Sequence, residues 1–190
     1  KEQLGGLPRL ASALLQSQKN SPKNQGALRL SAGDLNGGPG ELYKRRAQAA
    51  FKSLGALQYH AIVPGELDLD LGLKTLQKLS SDNNVELVCA NIRIDPRLHT
   101  PVKSHVVKTI SGLKVAIVGL LNRDLVLRPE EGVFFKDPAT SFAKLLPTLK
   151  KNSDIIILLA HMGHRRALDL CSEVPGADVV IVGHAQERMI

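Results

Sequence analysis

The chain has 190 residues, of which 43% are hydrophobic, 23% charged and only 3% aromatic, with no Trp and a net charge of +7. That length and balance suit one globular domain with a sizeable core, and no apolar run reaches the roughly 20 residues of a membrane-spanning helix. The basic cluster at Lys44, Arg45 and Arg46 lacks the interleaved aromatics of a stacking surface, so nucleic acid is not an expected partner.

Gly5-Gly6 introduce Leu7 to Leu15, where apolar residues recur at helical spacing with a proline in the first turn. A polar stretch from Gln16 to Gly26 leads to Ala27–Ser31, a short apolar segment that reads as a buried strand and runs into Ala32-Gly33-Asp34. Beyond a Gly/Pro loop, a helix is expected over about Glu41 to Leu54, closed by Gly55 as its C-cap. Tyr59 to Val63 reads as a strand broken by Pro64-Gly65, Leu71 to Leu79 as a helix, and Val85 to Ala90 as a strand. Two β-rich runs between Val106 and Leu120, separated by Ser111-Gly112, predict a hairpin.

Asp137-Pro138 opens a further helix, which Pro147 should kink or stop. Asp154 to Ala160 then reads as a strand, Arg165 to Glu173 as a helix and Asp178 to Val182 as a strand. Alternating strands and helices with one hairpin give an α/β layered fold, with residues 1–190 as a single domain.

Three of these strands end in polar residues: Asp34, then Ala160-His161-Met162-Gly163, then Gly183-His184. Open α/β sheets place ligands beyond the carboxyl ends of their strands. Asp34, His161 and His184 therefore converge on one edge, and they are residue types that bind a divalent cation. Asp34 beside a glycine also suits a turn, and each histidine also suits a satisfied strand-end residue. His164, followed by Arg165-Arg166, reads as a helix start. Cys89 and Cys171 have no metal-type spacing and read as two buried free thiols.

In order along the chain stand Gly5-Gly6-Leu7-Pro8-Arg9-Leu10, Ala32-Gly33-Asp34, Ala90-Asn91-Ile92, Gly112 to Gly119, Ala160-His161-Met162-Gly163 and Gly183-His184. This ordered set resembles the catalytic domain of the 5'-nucleotidase branch of the calcineurin-like metallophosphoesterases. The resemblance implies a four-layer α/β/β/α sandwich with mixed sheets, an extracytoplasmic location (periplasmic or extracellular) and a two-metal phosphoesterase ancestry.

The departures from that pattern are informative. The family's opening Asp-x-His would stand before Gly5, where four residues remain. Its Gly-Asn-His-Glu-Phe-Asp aligns with Gly65-Glu66-Leu67-Asp68-Leu69-Asp70, so a metal-binding Asn becomes Glu66 and a transition-state His becomes Leu67. The second His of its closing Gly-His-x-His becomes Gln186. Asp68 and Asp70 read as helix-start carboxylates at the positive end of a dipole.

What the resemblance then implies is at most one divalent ion (Mn, Fe or Zn) on Asp34, Glu66, His161 and His184, with no catalytic residue assigned. Phosphoester hydrolysis is expected to be reduced or absent. The alternative is a non-catalytic docking or assembly module of a larger exported protein, such as a multihaem cytochrome assembly. No Cys-x-x-Cys-His haem site occurs in the chain. The sandwich is expected to be incomplete at both ends. Its open sheet edge would be covered by the rest of a longer polypeptide or by a partner protein, with a phosphate ester as possible ligand.

Overall fold

The structure, a computed structural model, describes residues 6–20, 26–35, 40–100 and 102–184. Helix α1 spans Leu7–Asn20, and α2 spans Glu41–Ala56 after strand β1, Leu30–Ser31. Then follow β2 (Ala61–Ile62), the one-turn helix α3 (Glu66–Leu69), α4 (Leu73–Asp82) and β3 (Glu86–Leu87). The second half holds β4 (Ile92–Ile94), β5 (His105–Ile110), β6 (Leu113–Leu121), β7 (Val133–Phe135) and α5 (Pro138–Asn152). Strand β8 (Ile155–His161), α6 (His164–Glu173) and β9 (Val179–Gly183) close the described chain.

Two sheets lie face to face. The first, β1-β2-β3, is wholly parallel; the second, β5-β6-β8-β9, is mixed, because only the β5–β6 hairpin is antiparallel. A small antiparallel pair, β4–β7, lies beside them in sequence. Ala61, Val63, Val88, Ile117 and Leu159 fill the space between the two large sheets. Ala47 and Phe51 of α2 and Leu76 of α4 pack on Ile62 and Leu87, covering the outer face of the first sheet. Phe142 and Leu149 of α5 and Leu170 of α6 cover the second through Val118, Leu158 and Ala160. Period-2 alternation explains this division: Ile117 and Leu159 face the other sheet, while their neighbours Val118 and Leu158 face the helices. The order of layers is α/β/β/α.

Several element bounds differ from the sequence expectation. Helix α1 continues through the polar stretch to Asn20. Helix α2 runs past Gly55 to Ala56, so Gly55 is not its cap. A Cβ at Gly55 would lie 2.6 Å from the Asn83 carbonyl, so this glycine serves the close approach of the chain after α4. Helix α5 neither stops nor restarts at Pro147. Phe142 before the proline and Leu149 after it are both buried on the second sheet, and that packing outweighs the lost backbone bond. Asp137 caps α5 with its side chain on Thr140 N, ahead of Pro138 in the first turn. The hairpin turn is as expected, with Ser111 and Gly112 both at positive φ, the geometry of a two-residue type I′ turn.

The two large sheets are tied together near one edge. Ala90 N donates to Gly119 O at 2.7 Å, and a side chain at Gly119 would run into the Val88 carbonyl. Asn91, fully buried, accepts from Leu121 N and donates to Leu121 O and Lys136 O, so one amide replaces missing ladder bonds. Cys89 is buried and Cys171 only partly so; burial pushes the Cys89 thiol up to about 12, which keeps it protonated.

Candidate metal centre

Register brings the histidines together. Leu121 pairs with His161 and His161 with Gly183, so the ends of β6, β8 and β9 form one row and His184 follows directly. The imidazole rings of His161 and His184 meet edge to face, with centroids 5.4 Å apart. His161 is 0% exposed, while His184 is the most open of the group. His184 sits at φ 55°, a left-handed conformation that costs a residue with a Cβ about 1 kcal/mol or more and that clusters at functional sites.

The carboxylates come from the other sheet. Asp34 lies three residues beyond β1, in a left-handed conformation at φ 56°. A side chain at Gly33 would lie 2.7 Å from His161 Nδ1 and 2.6 Å from Gly65 N, so only glycine lets the loop and the ring approach. Glu66 is the first residue of α3 and follows Pro64-Gly65 at the end of the β2 strand run. Glu66 Oε2 lies 2.7 Å from His161 Nε2, and Oε1 lies 2.9 Å from His184 Nδ1. Asp34 Oδ2 lies 3.5 Å from the same His161 Nε2.

One ligand atom from each of Asp34, Glu66, His161 and His184 falls within 4.8 Å of all the others. The four sequence candidates are thus assembled from four separate chain segments at one sheet edge. His161 Nδ1 faces the Ala32 carbonyl at 2.5 Å and must donate to it, which leaves Nε2 turned toward the carboxylates. A backbone carbonyl that fixes the tautomer and frees the other nitrogen is the usual support of a metal-ligating histidine. Burial alone would discharge this ring. Its hydrogen bonds to Asp34, Ala32 and Glu66 outweigh burial and pull its pKa up to about 9. Two carboxylates and two imidazoles are a donor set for a borderline divalent ion such as Mn, Fe or Zn, and their mutual distances fit one ion.

Of the neighbouring residues singled out in the sequence, Gln186 lies outside the described residues. Leu67 donates its backbone N–H to Asp34 Oδ1 at 3.2 Å, and its aliphatic side chain brings no polar atom. His164 begins α6, as its arginine neighbours suggested. Asp70, expected as a helix-start carboxylate, is instead the exposed C-cap of the one-turn helix α3, which ends at Leu69. Asp68 stands in the first turn of α3, as expected of a helix-start carboxylate, but it is also 1% exposed, and its Oδ2 accepts from Asp34 N at 2.8 Å and from Gly65 N at 2.9 Å. The signal was a carboxylate three residues beyond a glycine N-cap, the spacing of a capping box.

No protein-family model matches the chain. It is 31% identical over 181 residues to a 5'-nucleotidase of Vibrio cholerae, covering 84% of this chain and 32% of that protein. Identity to the 5'-nucleotidase of Bos taurus is 29% over 192 residues, covering 96% of this chain and 33% of the relative. The chain therefore spans about a third of the length of these relatives. Among solved structures, a 5'-nucleotidase precursor from Thermus thermophilus superposes with a TM-score of 0.84 at 28% identity, over 95% of this chain and 36% of that one. The NAD nucleotidase of Haemophilus influenzae gives 0.81 at 26% identity, over 95% and 32%.

Proposed function

From its kinship in sequence and fold with the 5'-nucleotidase branch of the metallophosphoesterases, we propose that this domain holds a single divalent cation and hydrolyses phosphoesters weakly or not at all. Asp34, Glu66, His161 and His184 are the proposed ligands, and Mn, Fe or Zn the proposed ion. The observation that supports this reading is the convergence of the four side chains on one point. A bound divalent cation supplies Lewis acidity and a counter-charge for a phosphoryl group. His161 presents Nε2 to it because Ala32 holds Nδ1, and Glu66 keeps both imidazoles turned inward.

The weakness of the chemistry is inferred from Leu67. A leucine where the resemblance expects a histidine can neither donate a hydrogen bond nor move a proton, a contribution of about 10²–10⁴-fold in rate. That same residue favours the second reading, a docking or assembly module that has kept the fold. We further propose that the domain acts outside the cytoplasm and belongs to a longer polypeptide, with a phosphate ester as its ligand.

Elemental analysis of the purified protein beside the double variant His161→Ala/His184→Ala tests the site. Near-stoichiometric Mn, Fe or Zn in the parent that disappears in the variant is the expected result. No bound metal after incubation with excess cation would leave only the docking reading.

A further inference from the structure

His161 ends a strand ladder and His184 follows its last rung, whereas Asp34 and Glu66 lie in a loop and a one-turn helix beyond strands of two residues each. Something else must fix the carboxylate side. Building on the metal reading above, we propose that Asp68 is a positioning residue for the cation site, its buried carboxylate setting how Asp34 and Glu66 face the ion.

A carboxylate that is 1% exposed is costly to bury unless its oxygens find donors. Asp68 Oδ2 takes two, and both belong to the ligand loops: the N–H of Asp34 itself, at 2.8 Å, and the N–H of Gly65, next to Glu66, at 2.9 Å. The tie is reciprocal, since Leu67 N of the same helical turn donates to Asp34 Oδ1 at 3.2 Å. The main chain of Asp34 is thereby bound to the side chain of α3, and its side chain to the main chain of α3. Gly65 completes the joint, because a Cβ there would lie 2.7 Å from Asp34 N and would push the two loops apart. Asp34 is held at φ 56°, a conformation that persists only where its surroundings enforce it, and the bond to Asp68 supplies that hold. Residues that orient metal ligands in this way typically change metal affinity by about 10–100-fold when removed.

The test is the Mn²⁺ dissociation constant of the full chain, read from free Mn²⁺ by electron paramagnetic resonance. Circular dichroism melts of the metal-free proteins accompany it. Asp68→Ala is expected to weaken binding about 10–100-fold. Asp68→Asn, whose amide oxygen can still accept both N–H groups, should stay within a few-fold of the parent. Asp70→Ala removes a similar charge two residues away without touching either loop, and should also stay near the parent value.

Parental affinity in Asp68→Ala, or an equal loss in Asp70→Ala, overturns the positioning role while leaving the metal reading intact. Absence of Mn²⁺ binding by the parent itself overturns the metal reading and this inference with it. Should Asp68→Ala fail to fold, Asp68→Glu carries the test. Its carboxylate is displaced by one methylene, so weakened affinity with altered visible bands of the Co²⁺-loaded protein supports the role, and parental values overturn it.

Discussion

The two halves of the sandwich contribute to the site in opposite ways. The second sheet, with strands of five to nine residues, supplies His161 from the last rung of a continuous ladder and His184 from the residue directly after it. The first sheet, with strands of two residues, supplies both carboxylates from turns. A ladder fixes a side chain through many repeated bonds, so the loss of one is shared. A turn fixes it through a few specific contacts, here Asp68, Gly33 and Gly65, and each of those counts. Rigidity on one side and dependence on single residues on the other is the division of labour that the fold imposes.

The largest expected effect that sharpens this comparison comes from the ladder half. Leu158 of β8 is 1% exposed among α5 and α6 side chains, so Leu158→Ala should cost about 2–5 kcal/mol in urea denaturation. The metal affinity of the folded fraction should nevertheless stay within about threefold, because the register at His161 is held by rungs on both flanks. A large loss of affinity without a matching loss of stability would break the contrast between the halves.

A middle-sized effect follows from His161. Its pKa in the metal-free protein is pulled up to about 9, above the ordinary value of 6.5. The stability this contributes is fully present below about 6.5 and is lost as pH rises through about 9. Melting temperatures of the metal-free protein should therefore fall between pH 7 and pH 10, and less so in His161→Gln. A cation must displace the same proton, so Mn²⁺ affinity should rise from pH 6 toward pH 9. A pH-independent affinity over that range would detach His161 from the site.

The smallest effect belongs to the helix that covers the ladder. Asp137→Ala removes the cap on Thr140 and should cost about 0.5–2 kcal/mol by the same denaturation assay. The acidic limb of the stability curve should shorten too, because the Thr140 N–H holds the Asp137 carboxyl below the usual carboxylate range. That contribution is present above the unfolded pKa and fades as pH falls through the folded one.

Much of this was legible in the sequence, and the reasons are physical. Apolar runs of five or six residues followed by Gly-Asp, His or Gly-His mark strand ends, and strand ends converge in an open sheet. That logic placed Asp34, His161 and His184 on one edge, and the family pattern added Glu66. Asp68 was legible as a carboxylate early in a helix, a placement that the dipole alone accounts for, but its tie to the ligand loops was not. Its partners, Asp34 N and Gly65 N, lie in separate segments that only the folded chain brings side by side. The passage of α5 through Pro147 was hidden for a related reason: propensity is local, whereas the burial of Phe142 and Leu149 is tertiary.

Gly119 has a consequence that reaches the cation site without touching it. The layers meet there, backbone against backbone, with no room for even one methyl group beside the Val88 carbonyl. Asp34 and Glu66 ride on one layer and His161 and His184 on the other, so the close approach at Gly119 helps to set the distance between the two pairs. Gly119→Ala would therefore force the layers apart locally, and a weaker Mn²⁺ affinity of that variant is the expected outcome. The spacing of the two layers that carry the four side chains thus rests in part on a residue with no side chain at all.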